Sequence, residues 1–161
     1  MKKLMLVILL AAVAVGGFLY LQQPVEGVRS IVWDKAECAH CHMHIGNPHY
    51  AAQLQTKDGR ILDFDDPGCL FEWVTDHTPR IKTAYFHHYQ KDQWLDFQEV
   101  GFIRVDEETP MGYGLGAVDK AAHPDAMDFG EASRVVLEMG DDRTDKPAAK
   151  SPTSQHQGDH R

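Results

Sequence analysis

The sequence predicts an α+β fold made of two small tandem ββαβ modules behind an N-terminal transmembrane helix. Three observations lead to this fold class. An uncharged run from Leu4 to Leu21 follows Lys2-Lys3 at the start of the chain. Strand, turn and helix patterns then succeed one another from Tyr50 to Phe86, and the same order of elements recurs after Asp92. The apolar run predicts the anchor, and the recurrence predicts the two modules.

The apolar N-terminal run has a length at the lower edge of what spans a bilayer as a helix. Lys2 and Lys3 precede it, which places the remainder of the chain outside the cytoplasm. A cleaved signal peptide is the alternative, since small residues from Ala11 to Gly17 offer a cleavage site. We therefore predict that residues 1–24 form a membrane anchor or signal segment. The expected location is the periplasmic side of the inner membrane, held there by a single-pass anchor.

The first module, about residues 37–90, follows a linker predicted for residues 25–36. From Tyr50 onward, apolar and polar side chains alternate, which is typical of a strand with one buried face. Asp58-Gly59 then supplies the residues of a tight hairpin turn. Ile61 to Phe64 is the returning strand, so the module begins with a β-hairpin.

A helix follows this hairpin directly. Asp66 is suited to cap its N-terminus, and Pro67 is suited to the first helical position. The helix is expected to run to about Asp76, before a Thr-Pro pair stops it. Ile81 to Phe86 is the third predicted strand, which completes the order strand, strand, helix, strand.

The second module, about residues 91–140, repeats this order. Strands are predicted from Gly101 to Val105 and from Gly112 to Val118. A short helix is expected from Pro124 to about Glu131, and a closing strand from Arg134 to Met139. Together the two modules make up one predicted folded domain, residues 37–140.

Charge and composition exclude some partners and some structure. The chain has 161 residues, with 16 Lys and Arg against 24 Asp and Glu, which gives a net charge of -8. Phosphate binding needs clustered basic side chains, so nucleic acid is not an expected partner. Residues 141–161 contain almost no apolar side chains and are predicted to form a disordered tail.

The chemistry of the chain is concentrated between Cys38 and Met43, which together supply two thiols, two imidazoles and a thioether. The pattern C-x-x-C-H is also a haem-attachment motif, with His42 as one axial ligand. Met111 would then be a second axial ligand. Two observations argue against a c-type cytochrome. The predicted fold is rich in strands, and Cys69 would have no role.

Two further interpretations remain open on residue grounds. A redox dithiol needs a helix after the motif, but the turn residues Gly46 to Pro48 follow it closely. A structural zinc site needs four ligands, and a histidine would have to join Cys38, Cys41 and Cys69.

Copper(I) is the interpretation that the residues favour, because it prefers thiolate and thioether donors. Cys41 and Met43 are two residues apart, so on an extended segment their side chains point to the same side. Cys69 falls in the first turn of the helix capped by Asp66, where backbone dipoles favour a thiolate. Met111 lies in a glycine-rich stretch that permits close approach of the backbone.

Three stretches resemble the NosL family of accessory copper chaperones for the periplasmic nitrous oxide reductase. They are Cys38 to Met43, Phe64 to Cys69 and Thr109 to Leu115, and the similarity extends over Glu37 to Gly140. The resemblance implies two small ββαβ modules and one copper(I) ion, held by thiol and thioether donors. It also implies a metallochaperone rather than an enzyme, and no nucleophile–base pair in the sequence predicts catalysis. The implied partner is a copper-receiving enzyme, either nitrous oxide reductase or another exported copper protein.

The implied metal ligands can be placed on this chain position by position. The positions that match the family are Cys38, Cys41, Met43, Cys69 and Met111. His42, a further candidate ligand, stands where the family usually has glycine. A second departure is the anchor, since typical members are lipoproteins, whereas an apolar helix takes that place here.

Overall fold

The computed structural model describes residues 2–21 and 27–144. Its helices and strands, with a single 3-10 turn at Pro48–Tyr50, are α1 (Lys2–Leu21), β1 (Ala52–Thr56), β2 (Ile61–Phe64), α2 (Pro67–His77), β3 (Ile81–His87), β4 (Trp94–Asp96), β5 (Val100–Arg104), β6 (Leu115–Asp119) and α3 (Phe129–Thr144). The mixed α and β composition predicted from the sequence is confirmed. The predicted order of elements agrees with the structure in the first module and only in part in the second.

Strands β1, β2 and β3 of the first module form an antiparallel sheet with the order β2-β1-β3-β4, in which β4 comes from the second module, and α2 follows β2 in the chain. Strand β1 pairs with β2 so that Ala52 lies opposite Phe64, and the hairpin turn contains Gly59 with a φ of 88°. The predicted order strand, strand, helix, strand is confirmed. Strand β4 was not predicted, because three residues are too few to show an alternating pattern.

Helix α2 begins and ends where the sequence indicates. Asp66 has an extended backbone, and its carboxylate accepts a hydrogen bond from the Gly68 N–H at 2.8 Å. At the other end, Thr78 adopts a left-handed conformation with a φ of 42°, just before Pro79. Leu70 and Phe71 are fully buried, so the helix closes one face of the sheet.

The opposite face of β1 is covered as well, by the segment predicted to be a linker. The Gln53 side chain accepts a hydrogen bond from the Arg29 N–H at 2.8 Å and donates one to the Arg29 carbonyl at 3.0 Å. It also donates to Asp63 at 2.7 Å, while Gln55 donates to the Gly27 carbonyl at 2.7 Å. Both glutamines are therefore buried, although their alternation with apolar residues suggested a solvated face.

After β4, which joins the first sheet, the second module has the order strand, strand, helix. Strands β5 and β6 form a two-stranded antiparallel sheet, but the predicted closing strand from Arg134 to Met139 is wrong, because α3 spans this segment. The predicted helix from Pro124 to Glu131 is wrong in position, since α3 begins only at Phe129.

The sequence carries two signals for this helix. Asp128 and Glu131 form a reciprocal capping box, in which each carboxylate accepts the backbone N–H of the other at 2.9 and 2.8 Å. Ala132 and Val136 are buried four residues apart, which is the spacing of one helix face.

The two modules share one hydrophobic core, in which four phenylalanines meet. The rings of Phe71 and Phe102 are 5.3 Å apart and edge-to-face, and Phe86 contacts Phe102 at 4.9 Å. Phe129 of α3 packs on Phe71 at 4.9 Å. Because each module contributes rings to this cluster, neither has a complete core of its own.

The two ends of the chain were predicted to be a membrane anchor and a disordered tail. In the described part of the chain, no helix is long and apolar enough to cross a membrane. The membrane anchor or signal segment expected for residues 1–24 stays a prediction. Helix α3 continues to Thr144, into the tail predicted from residue 141, and the rest of that tail lies outside the described residues.

Candidate metal centre

Two of the three cysteines lie on one tight loop. Glu37 and His44 form an isolated antiparallel bridge at the ends of this loop. Inside it, the Cys38 N–H donates to the Met43 carbonyl at 2.9 Å, and the His42 N–H donates to the Cys38 carbonyl at 3.1 Å. These bonds fold residues 37–44 back on themselves. Cys38 and Cys41 are thereby brought to the same small region.

His42 occupies the sharpest position of this loop. Its φ of 61° lies in the left-handed region, where glycine is favoured because it has no Cβ. The side chain is exposed, and its Nδ1 lies 3.1 Å from a carboxylate oxygen of Glu37. This backbone conformation gives a physical reason for a glycine at the corresponding family position.

The third cysteine reaches the loop from helix α2. The Ala39 N–H donates to the Asp63 carbonyl at 2.9 Å, which fixes the cysteine loop beside β2. The chain continues from β2 through Asp66 into α2, whose first turn contains Cys69. A loop and a helix N-terminus therefore meet at the thiols.

The sulfur atoms of Cys38, Cys41 and Cys69 all lie within 4.8 Å of one another. None of the three is in a disulfide, and they are the only cysteines of the chain. Cys38 and Cys69 are fully buried, whereas Cys41 is only half-buried. Within residues 2–21 and 27–144, no nitrogen of His42 and no carboxylate belongs to this group.

The thiols differ in protonation because they bond to one another. A hydrogen bond from the Cys69 thiol is the main reason that the pKa of Cys38 falls to about 5, and backbone N–H groups at Asp65, Cys41 and His40 add to this effect against burial. The same hydrogen bond, together with burial, raises the pKa of Cys69 far above its ordinary value. Burial raises the pKa of Cys41. Without metal, the centre at neutral pH holds one thiolate and two thiols.

A buried carboxyl lies beside this thiolate. Burial, followed by the negative charge of Cys38, raises the pKa of Asp65 to about 6. Asp66 contributes a second negative charge nearby. A cation at the thiols would offset this concentration of negative charge.

The stretch around Met111 packs on the N-terminus of α2. The Met111 N–H donates to the second carboxylate oxygen of Asp66 at 3.2 Å, so Asp66 binds both its own helix and this loop. The Tyr113 ring lies directly on Gly68, and a Cβ at Gly68 would be 2.2 Å from a ring carbon. The sequence prediction missed this contact, although a glycine between a helix-starting proline and a cysteine was its available signal.

The two candidate methionines lie on loops beside this centre. Met111 is partly buried and packs against the core. Met43 is 50% exposed and lines an open groove together with Asp65, Thr109 and Pro110. The structure therefore brings the three predicted thiols together and places Met43 and Met111 on the flanking loops. It turns the ring of His42 toward Glu37.

Three free thiols gathered where a loop of an α+β domain meets a helix N-terminus form a donor set that suits a soft metal ion. The sequence model of the NosL family matches residues 31–146, and the chain belongs to this family. The predicted resemblance is confirmed.

A solved structure supports the fold. The crystal structure of the copper chaperone NosL from Shewanella denitrificans has a TM-score of 0.52 and 22% sequence identity to this chain, and the match covers 63% of this chain and 86% of that one. No curated protein matches the sequence.

Proposed function

We propose that this protein is a copper(I) chaperone on the periplasmic face of the inner membrane, held there by the apolar segment at its N-terminus. It takes up one copper(I) ion and delivers it to an exported copper enzyme, either nitrous oxide reductase or another. The observation that carries this proposal is the group of three free thiols, with sulfur atoms within 4.8 Å of one another. Membership of the NosL family supports it.

The donor set favours copper(I) over zinc. Structural zinc sites have four ligands in almost all cases, and a fourth usually comes from His or Cys. In the described part of the chain, only Cys38, Cys41 and Cys69 belong to the ligand group. Copper(I) prefers soft sulfur donors and accepts fewer of them, so three thiols suffice. Thioethers of Met43 and Met111 are further candidate donors from the flanking loops.

The geometry disfavours haem attachment. Cys38 is fully buried, and its thiol is hydrogen-bonded to Cys69. A thioether link at Cys38 would bring the edge of a porphyrin into this core. The ring of His42, which would be the axial ligand, is exposed and lies against Glu37.

Delivery of copper(I) needs no catalytic residue. The ion keeps its charge while sulfur ligands of the chaperone are replaced by ligands of the receiving protein. Such a function requires thiols that remain reduced, and burial of two of the three protects them from oxidants. The solved relative from Shewanella denitrificans is itself named a copper chaperone.

The proposal is tested by anaerobic titration of the full-length chain with copper(I), in competition with bathocuproine disulfonate. Wild-type protein should bind one copper(I) ion and stay colourless. Met43→Leu and Met111→Leu should each fold but bind copper(I) more weakly, because each removes a thioether. Met127→Leu, which changes a partly buried methionine elsewhere in the core, is the matched control and should not alter affinity. Failure of the wild type to bind copper(I), or a Soret band after expression with haem maturation factors, would overturn the assignment.

A further inference from the structure

The three thiols of the centre are not equivalent in their access to solvent. Cys38 and Cys69 have no exposed surface, and Cys41 is partly exposed. Met43, two residues further along the same loop, is 50% exposed. The solvent side of the centre is therefore the side on which Cys41 lies.

The two buried thiols are also held more firmly. Cys38 has both its backbone N–H and its carbonyl bonded across the loop, to Met43 and His42. Cys69 is part of helix α2, whose N-terminus is fixed by Asp66. A ligand from another protein can displace either sulfur only after the loop or the helix end opens.

We propose that Cys41 is the exchange ligand of this centre, the sulfur that leaves copper(I) first when the ion passes to its acceptor. Cys38 and Cys69 form the retaining pair that holds the ion from inside. This inference rests on the proposed function and adds to it the order in which ligands are replaced. The acceptor it fits is a protein that presents a soft sulfur ligand on an exposed segment.

The exchange step balances without an oxidant or reductant. An acceptor thiolate forms a bond to copper(I) on the exposed side as the bond between copper(I) and the Cys41 sulfur breaks. The proton that the acceptor thiol loses compensates for the one that Cys41 gains. Copper stays in the +1 state throughout, and the pair Cys38 and Cys69 is replaced in later steps.

The test measures the rate at which the copper(I)-loaded full-length chain transfers its ion to bathocuproine disulfonate, over a range of chelator concentrations. For wild type, the rate should rise with chelator concentration, because the chelator attacks at the exposed ligand. In Cys41→Ser, the solvent side of the ion carries no sulfur, so the chelator enters without displacing a ligand. The rate should therefore exceed that of wild type and still rise with chelator concentration. Affinity in this variant should fall less than in a variant that loses one of the two buried thiols.

Cys69→Ser is the comparison variant, because it removes one of the buried pair. It should lose at least about tenfold more affinity than Cys41→Ser, a difference of about 1.4 kcal/mol, because the ion then lacks one of the two sulfurs that hold it from inside. Cys41→Ala repeats the first variant without a hydroxyl, and circular dichroism confirms folding of each protein.

Two outcomes would overturn the inference. One is a transfer rate in Cys41→Ser and Cys41→Ala that is no higher than in wild type at any chelator concentration. The other is a loss of affinity in Cys41→Ser as large as that in Cys69→Ser. Both require a wild type that binds copper(I), whereas failure of the proposed function appears as a wild type that binds none.

Discussion

At the scale of single residues, the centre contains one unusual backbone conformation and one thiol with an unusually low pKa. His42 adopts a left-handed backbone conformation, at φ 61°, in a loop that a glycine would fit without strain. Cys38 is a thiolate at neutral pH because Cys69 donates a hydrogen bond to it. The sequence identified both residues as candidates, but neither the loop conformation nor the thiol pair is visible in residue spacing.

Replacement of His42 by glycine should stabilise the fold. The substitution removes the strain of a left-handed non-glycine residue, which is worth about 1 kcal/mol. The imidazole lies against Glu37, so copper(I) affinity should not change. Urea denaturation measures the free energy of unfolding, and bathocuproine competition measures the affinity. A clear loss of affinity would instead make His42 a ligand, as the sequence prediction had it.

Copper(I) affinity should rise with pH. Near pH 7 the metal-free centre holds protons on Cys41 and Cys69, whose pKa values are raised, but not on Cys38, whose pKa is about 5. Binding to all three sulfurs should therefore release about two protons per ion at this pH. Between pH 5 and 8, lower pH favours the protonated thiols and weakens binding. A titration in weakly buffered solution measures the number of protons released per copper(I) ion. A value near zero would show that Cys41 and Cys69 are not ligands.

At the scale of elements, the centre is assembled by the N-terminus of α2. The carboxylate of Asp66 accepts N–H groups from Gly68 and Met111, and the Tyr113 ring lies on Gly68. Two of the three stretches that resemble NosL therefore contact each other directly. The third, the cysteine loop, is fixed to the same region by the bond from Ala39 to Asp63.

Gly68→Ala should therefore destabilise the protein, although alanine usually stabilises a helix. The new Cβ would overlap the Tyr113 ring, and the overpacking should cost about 1–3 kcal/mol. Displacement of the loop that carries Met111 should also weaken copper(I) binding.

The matched control is Gly130→Ala in the first turn of α3, where the nearest atom, a carboxylate oxygen of Asp128, is 3.4 Å from the new Cβ. This variant should be neutral or slightly more stable. Equal thermal stability of the two alanine variants would contradict the packing argument.

Local signals predicted the elements that they fully determine. The bounds of β2 and the N-terminus of α2 follow from Gly59 in the hairpin turn and from the pair Asp66-Pro67. The errors arise where the expected repeat of the first module was given more weight than a local signal. In the second module the expected repeat suggested a closing strand, and the capping box at Asp128 and Glu131, which marks a helix, was passed over.

The site was predictable in its residue types but not in its arrangement. Cys38, Cys41 and Cys69 were identified from their donor chemistry, and the structure places their sulfur atoms together. Which thiol is exposed depends on how a loop and a helix meet. Contacts between segments distant in sequence decide that arrangement, and local patterns carry little information about them.

At the scale of the whole molecule, the two modules act as one unit. Their aromatic rings interleave in a shared core, and the segment from Gly27 to Arg29 covers the outer face of the first sheet. The centre lies between elements of both modules, since Asp66 belongs to the first and Met111 to the second. Loss of either module should therefore remove the copper site.

The proposed tether makes a prediction about location. Full-length protein should sediment with membranes after cell lysis and should resist extraction with alkaline carbonate. Deletion of residues 2–21 should leave protein that no longer sediments. If the full-length gene instead yields periplasmic protein that is shortened at its N-terminus, the segment is a cleaved signal.

The central claim, that the three thiols form a copper(I) site, is tested most directly by X-ray absorption at the copper edge of the loaded full-length chain. The edge should be that of copper(I), and sulfur atoms should be its only near neighbours. Replacement of Cys38, Cys41 and Cys69 together by serine should abolish the bound copper. A nitrogen-rich coordination, or copper retained by the triple variant, would contradict the account and place the ion on the histidines of the chain.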